Sequence, residues 1–226
     1  MKVSVALAAY RGEKYIGEQI DSILPQLGRD DEIIVSDDCP CDEMKNAVEC
    51  FSDSRIKYVR GPGQGVIKNF EYALGLCKGD YIFLCDQDDV WRDDKVEKCI
   101  RELENGYILV LHDAKIVDAQ LNEMGESFFA LHHSGAGFLK NIFVNSFVGC
   151  CMAFKKEIKD YVLPFPDELP MHDQYIGLVA KKHGNVKLIN EPLIYYRRHS
   201  GNVTGGKTSL KQKIKWRYQI VRALLK

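Results

Sequence analysis

A chain of 226 residues with 46% hydrophobic content can bury one sizeable core, as a single domain or a domain with an appendage. No stretch approaches the roughly 18 consecutive apolar residues of a spanning helix, and the strand-like segment 3–9 begins too early for a signal peptide, so a cytosolic location is expected. The net charge of −1, from 31 basic and 32 acidic residues, hides an asymmetry: nine Lys or Arg follow residue 196, which leaves residues 1–196 at −10 and argues against a nucleic-acid partner.

Along the first half, strand-like apolar runs at 3–9, 32–36, 56–59, 81–85 and 107–111 alternate with helical patterns. The helical sets are Ile16, Ile20, Ile23, Leu24 and Leu27, then Val66, Phe70, Ala73, Leu74 and Cys77, then Val96, Ile100 and Leu103. Repeated strand–helix–strand units imply a parallel sheet with helices on both faces. From about residue 113 the pattern is less regular. Ser134 to Gly137, flanked by His132 and His133, reads as a mobile loop. Val148 to Phe154 and Leu193 to Tyr196 read as strands, and Gln174 to Lys182 as a short helix. The eight cysteines show no paired CxxC spacing and several fall inside apolar runs, so packed, reduced thiols are expected rather than disulfides or a zinc site.

Chemistry concentrates where strands end. The run 81–85 stops in Asp86, Gln87, Asp88 and Asp89. Carboxylates so close repel one another unless a cation arrives, and Mg²⁺ or Mn²⁺ is typically held by one or two carboxylates plus substrate phosphate oxygens. A solvated acidic turn ahead of the helix near Asp93 and Asp94 is the other reading. The run 32–36 ends in Asp37 and Asp38, suited either to a base or ribose contact or to capping the segment after Asp42. Gly61, Gly63 and Gly65 precede a helix carrying Lys68, a combination that favours anions but matches no P-loop or dinucleotide fingerprint.

Taken in order, Val3 to Tyr10 with Gly12 to Tyr15, Ser36 to Asp38, Lys68 to Phe70, and Gly79 to Trp91 resemble the family 2 glycosyltransferases, most closely the bacterial rhamnosyltransferase-like branch. The resemblance extends to about Thr204. It implies a GT-A (Rossmann-like) α/β fold, a mostly parallel sheet flanked by helices, and a nucleotide-diphosphate sugar donor. Asp86, Gln87 and Asp88 would then be the DxD motif, with Asp88 touching Mn²⁺ or Mg²⁺ and His199 completing the metal site. Ala8, Tyr10, Asp37, Asp38, Lys68, Asp86 and Gln87 would line the donor pocket. Asp173 would be the catalytic base, with His172 standing where the family usually has Glu, and Gly149, Cys150, His172 and Arg197 would lie beside the sugar or acceptor. His132 and His133 fall in a loop read either as closing over the donor or as solvated.

The implied activity is inverting, metal-dependent transfer of a sugar to a hydroxyl of a glycan or lipid-linked glycan in bacterial surface polysaccharide synthesis. Residues 1–112 would form the donor half of one domain, 113–204 the acceptor and catalytic half, and 205–226 a C-terminal amphipathic helix. A noncatalytic nucleotide-sugar binding module and a nucleotidyl or phosphoryl transferase are the competing classes. In the tail, Leu210, Ile214, Tyr218, Val221 and Leu225 recur at helical spacing among Lys and Arg. That stripe is expected to pack on the domain. Peripheral contact of 207–226 with the inner face of the cell membrane is the alternative.

Overall fold

The structure is a computed structural model that describes residues 1–135, 137–199 and 208–225. Ala136 in the expected mobile loop, Ser200 to Asn202 of the His199 segment and the start of the expected tail at 205–207 lie outside the described residues. In chain order the elements are β1 (Val3–Ala9), α1 (Ile16–Ile23), β2 (Glu32–Asp37), α2 (Glu43–Glu49), β3 (Ile56–Arg60), α3 (Val66–Leu76), β4 (Tyr81–Asp86), β5 (Val90–Trp91) and α4 (Lys95–Glu104). There follow β6 (Leu109–Val117), β7 (Glu123–Ser127), α5 (Phe128–His132), α6 (Phe138–Phe143), β8 (Met152–Lys155), α7 (Lys156–Val162), α8 (His172–His183), β9 (Val186–Arg197) and α9 (Leu210–Leu224).

One sheet runs through the protein in the order β3-β2-β1-β4-β8-β6-β9-β5, with β7 on β6. The β3-β2-β1-β4 portion is parallel, and β1 and β2 are buried along their whole lengths, as the continuous apolar runs require. Helix α3 lays Phe70, Ala73 and Leu74 on this portion, while α1 contributes Ile16, Ile20 and Ile23. Phe70, Leu74 and the three isoleucines are each worth about 2–5 kcal/mol against truncation to Ala. Past β4 the sheet continues through antiparallel β8 into β6, which pairs parallel with β9. The expected boundary at residue 112 falls inside β6.

Three details depart from the sequence reading. The strand expected at Val148 to Phe154 begins only at Met152, because Gly149 to Cys151 form a single 3₁₀ turn. Cys39 and Cys41 are disulfide-bonded across Pro40, with Cα atoms 5.3 Å apart, whereas the other six cysteines are free thiols. The third concerns α9, which packs on the body through Ile220, Ala223 and Leu224 and not through the stripe Leu210, Ile214, Tyr218, Val221 and Leu225, all of which are exposed. Lys182 Nζ donates to the Leu224 carbonyl and anchors the helix end. Among the described residues no helix is long and apolar enough to cross a membrane.

Candidate active site

The chain leaves β1 toward β2 and β3, then crosses back to place β4 on the other side of β1. The carboxyl ends of β1 and β4 therefore form the topological switch point, the crevice where open α/β sheets take ligands. Ala8 pairs in register with Asp86, and Ala9 with Asp37, so Ala8, Tyr10, Asp37, Asp38, Asp86 and Gln87 converge on one edge. Gln87 closes the junction: its Oε1 accepts the Tyr10 N–H at 2.8 Å and its Nε2 donates to the Tyr10 carbonyl at 2.9 Å. A Cβ on Gly12 would sit 2.0 Å from Gln87 Cδ, so this amide clasp requires glycine there.

The carboxylates after β2 are fully engaged. Asp37, wholly buried, accepts from the Tyr58 hydroxyl at 2.8 Å and the Cys39 N–H at 3.0 Å, and pairs with Arg60. Burial, together with this bond to Asp37, pushes the Tyr58 hydroxyl up to about 12. Asp38 accepts the N–H groups of Gly63 and Gly65, each at 2.7 Å. Both glycines have positive φ, so the Gly61–Gly65 loop curls around that carboxylate and opens α3. Lys68, one turn into α3, is paired with Glu71 at 2.6 Å.

The carboxylates after β4 are crowded instead. Asp86, Asp89 and the Cys150 thiol bring potential ligand atoms within 4.8 Å of one another. Burial, with repulsion from Asp88 and Asp173, raises the Asp86 carboxyl to about 7. Asp89 is pushed well above the usual carboxylate range by burial and by Asp88 and Asp86. Its Oδ1 accepts the Arg197 N–H, but its buried Oδ2 has no hydrogen-bond partner among the described residues. Asp88 Oδ2 lies 2.9 Å from His199 Nε2, and the His199 ring stacks on Tyr15. Oxygen-rich donors with one imidazole and an orphaned buried oxygen fit a hard divalent cation, whose charge would relieve the repulsion. The Cys150 thiol, held protonated by its bond to Cys151 and by burial, is a poor ligand beside them.

Asp173 reaches the same place from α8. A Cβ on Gly149 would meet His172 Nε2 at 3.2 Å, Leu84 Cδ1 at 3.8 Å and Asp173 Cβ at 3.9 Å, and the next residue, Cys150, touches the acidic cluster. One 3₁₀ turn thus separates Asp173 from Asp86 and Asp89. Burial raises the Asp173 carboxyl to about 6 against the opposing pull of hydrogen bonds, among them the Gln174 N–H at 2.6 Å and Asn145 Nδ2 at 3.3 Å. His172, stacked on Phe70, is held neutral by burial, which lowers it to about 4, and its Nε2 has no partner among the described residues.

Other expected residues sit less directly. Cys150 is completely buried, its carbonyl accepting Lys95 Nζ at 2.8 Å. The Arg197 guanidinium is tied to Glu18 and the Ala119 carbonyl and lies over the Tyr15 ring, 2% exposed. His132 stacks on Phe128, and the loop beyond His133 is tethered by Asn141 Nδ2 to the Gly135 carbonyl. Lys95 went unread in the sequence. It is fully buried, 3.9 Å from the Trp91 ring centre, and lowers the Asp86 carboxyl slightly from behind. Its position one turn before Cys99, on the apolar stripe of α4, was the available signal. Asn145 as the partner of Asp173 had no sequence signal at all.

The sheet order, with its switch-point cleft and strand-end carboxylates, defines a GT-A-like α/β fold. The chain belongs to glycosyl transferase family 2, whose family model matches residues 4–162. Among curated relatives it is 28% identical over 235 residues to dTDP-rhamnosyl transferase RfbG of Shigella flexneri, covering 92% of this chain and 77% of that protein. It is 24% identical over 208 residues to the UDP-Glc:alpha-D-GlcNAc-diphosphoundecaprenol beta-1,3-glucosyltransferase WfaP of Escherichia coli, covering 91% and 80%. In structure it superposes on S. aureus TarS 1-349 in complex with UDP-GlcNAc with a TM-score of 0.76 at 20% identity, over 100% of this chain and 67% of that one. The chain spans about two thirds to four fifths of the length of such relatives.

Proposed function

We propose that the protein transfers a sugar from a nucleotide-diphosphate donor to a hydroxyl of a glycan or lipid-linked glycan, with inversion and with the help of Mn²⁺ or Mg²⁺. The observation that carries this is the placement of Asp173, raised to about 6, one turn away from the Asp86–Asp89 cluster. A carboxylate of that basicity is ionised at neutral pH and basic enough to take the acceptor's proton as its oxygen attacks the anomeric carbon. Attack from the Asp173 side with departure of the nucleotide diphosphate on the other is a single displacement, which inverts the anomeric centre. Asn145 orients the Asp173 carboxylate for this step.

Asp88 and His199, with Asp86 beside them, would hold the cation, which when bound neutralises charge developing on the diphosphate. Gln87 fixes Tyr10 and the end of β1 at the rim of the donor pocket, while Asp37 and Asp38 shape the base side. In this reading residues 1–112 serve the donor and 113–204 the acceptor. The named relatives use dTDP and UDP donors, and one acts on a diphosphoundecaprenol acceptor. A cytoplasmic site of action suits nucleotide-sugar donors.

Thermal shift against UDP-, GDP- and dTDP-sugars, with and without Mn²⁺, identifies the donor, since a ligand that binds only the folded state raises its melting midpoint. Asp173→Asn should keep that shift and lose transfer. Retained transfer by this variant would refute the assignment of the base, and the absence of both shift and transfer with every donor would leave the noncatalytic alternative without its ligand as well.

A further inference from the structure

Helix α9 is amphipathic twice over. Ile220, Ala223 and Leu224 hold it to the body, yet Leu210, Ile214, Tyr218, Val221 and Leu225, spaced by three or four residues, form a second apolar stripe that is 40% to 83% exposed. Such a stripe on a 15-residue helix runs roughly 20 Å. It does not stand alone: α6 packs beside α9, Arg217 donates to the Phe143 carbonyl, and Leu139, Phe143 and Val144 are also exposed, Phe143 to 60%. Two neighbouring helices thus present apolar side chains that stay exposed among the described residues. Contiguous apolar exposure of this kind on a charged protein marks an interaction surface.

Charge selects the partner. Residues 208–225 carry Lys211, Lys213, Lys215, Arg217 and Arg222 and no acidic residue, in a chain whose first 196 positions sum to −10. A second copy of this face would bring like charges together, whereas an anionic lipid surface takes the apolar stripe at its acyl boundary and the lysines at its headgroups. We infer that the α6–α9 face docks the protein on an anionic bilayer. The geometry gives the docking a purpose: the chain passes from Phe143 and Val144, exposed on this face, directly to Asn145, which hydrogen-bonds Asp173. Asn141 of α6 likewise accepts, through its carbonyl, the side-chain N–H of Gln174 next to that base. The membrane face and the acceptor side of the site are therefore one continuous structure, suited to an acceptor anchored in the same bilayer. This purpose rests on the proposed role of Asp173, while the docking does not.

Vesicle flotation of the full chain tests it, with vesicles of phosphatidylcholine alone and of phosphatidylcholine mixed with phosphatidylglycerol. The wild type should float with the anionic vesicles only, less so as salt is raised. The double variant Ile214→Glu, Tyr218→Glu should bind at least about tenfold more weakly, since it loses two apolar anchors and gains two negative charges that the anionic surface repels. Its melting midpoint and its donor-induced shift should match the wild type, because both side chains are exposed. A wild type that stays in solution with both vesicle types, or a double variant that floats as well as the wild type, would overturn the inference. So would a wild-type dimer that the double variant converts to monomer in sedimentation, since the stripe would then be covered by a second copy. Asp173→Asn should float normally, so loss of its transfer with flotation intact bears on the proposed function, and loss of flotation by the stripe variant bears only on docking.

Discussion

Two strand ends that read alike behave in opposite ways. After β2, Asp37 and Asp38 are saturated: a tyrosine hydroxyl, three backbone N–H groups and an arginine surround them. After β4, Asp86 and Asp89 face one another, with Asp88 adding to the repulsion and one buried oxygen unbonded among the described residues. The first pair stabilises the fold by satisfying neighbours. The second pair costs stability, and in the proposed site a bound cation would offset that cost. A buried carboxylate is costly unless it is compensated, which is why the uncompensated group is the one proposed for the ligand site.

The sharpest way to break this comparison lies in the chemistry. Asp173→Asn should lower transfer by about 10²–10⁴-fold, the usual worth of a general base, read as initial rate at saturating donor. In the wild type the pH–rate profile should rise as Asp173 ionises, with a limb near pH 6, and level off above it. Activity lost by raising pH through that range would contradict a carboxylate base.

The next effects concern stability, and their signs should differ. Asp37→Ala strips partners from the Tyr58 hydroxyl and the Cys39 N–H and should cost about 2–4 kcal/mol, read from denaturant midpoints. Asp86→Asn in the absence of divalent ions should stabilise by about 1 kcal/mol, because it removes one member of a like-charge cluster and the partly exposed site screens the rest. For a chain of this size that is a rise of roughly 2–4 °C in the melting midpoint. The same variant should lose most of the stabilisation that added Mn²⁺ gives the wild type. Equal destabilisation by both substitutions would erase the distinction between the two strand ends.

The smallest effect tests the charge behind the cluster. Lys95→Met keeps the length of the side chain but removes the ammonium from the Cys150 carbonyl and the Trp91 ring. It should raise the pH midpoint at which Mn²⁺ begins to stabilise the protein, by less than about one unit, followed as a Mn²⁺ thermal shift across pH. An unchanged midpoint would confine Lys95 to packing.

The sequence by itself determined the parallel half of the sheet and the residues at its switch point. Continuous apolar runs ending in carboxylates are local patterns, and the period of the intervening helices is written in neighbouring residues. Val3 to Ala9 and the acidic ends of β2 and β4 follow from such patterns, and the resemblance they carry singled out Asp88 and His199 as expected metal ligands, whereas their direct 2.9 Å contact is seen only in the structure. Only the tertiary structure decided which acids are satisfied, because apart from the Cys39 N–H their partners come from 21 or more positions away. The same holds for Asn145 against Asp173, for the buried Lys95, and for the choice of Ile220, Ala223 and Leu224 over the more regular stripe of α9. A helix can carry two apolar faces, and periodicity alone does not say which one the body covers. That choice depends on the shape of α6 and α8 against which the helix must pack.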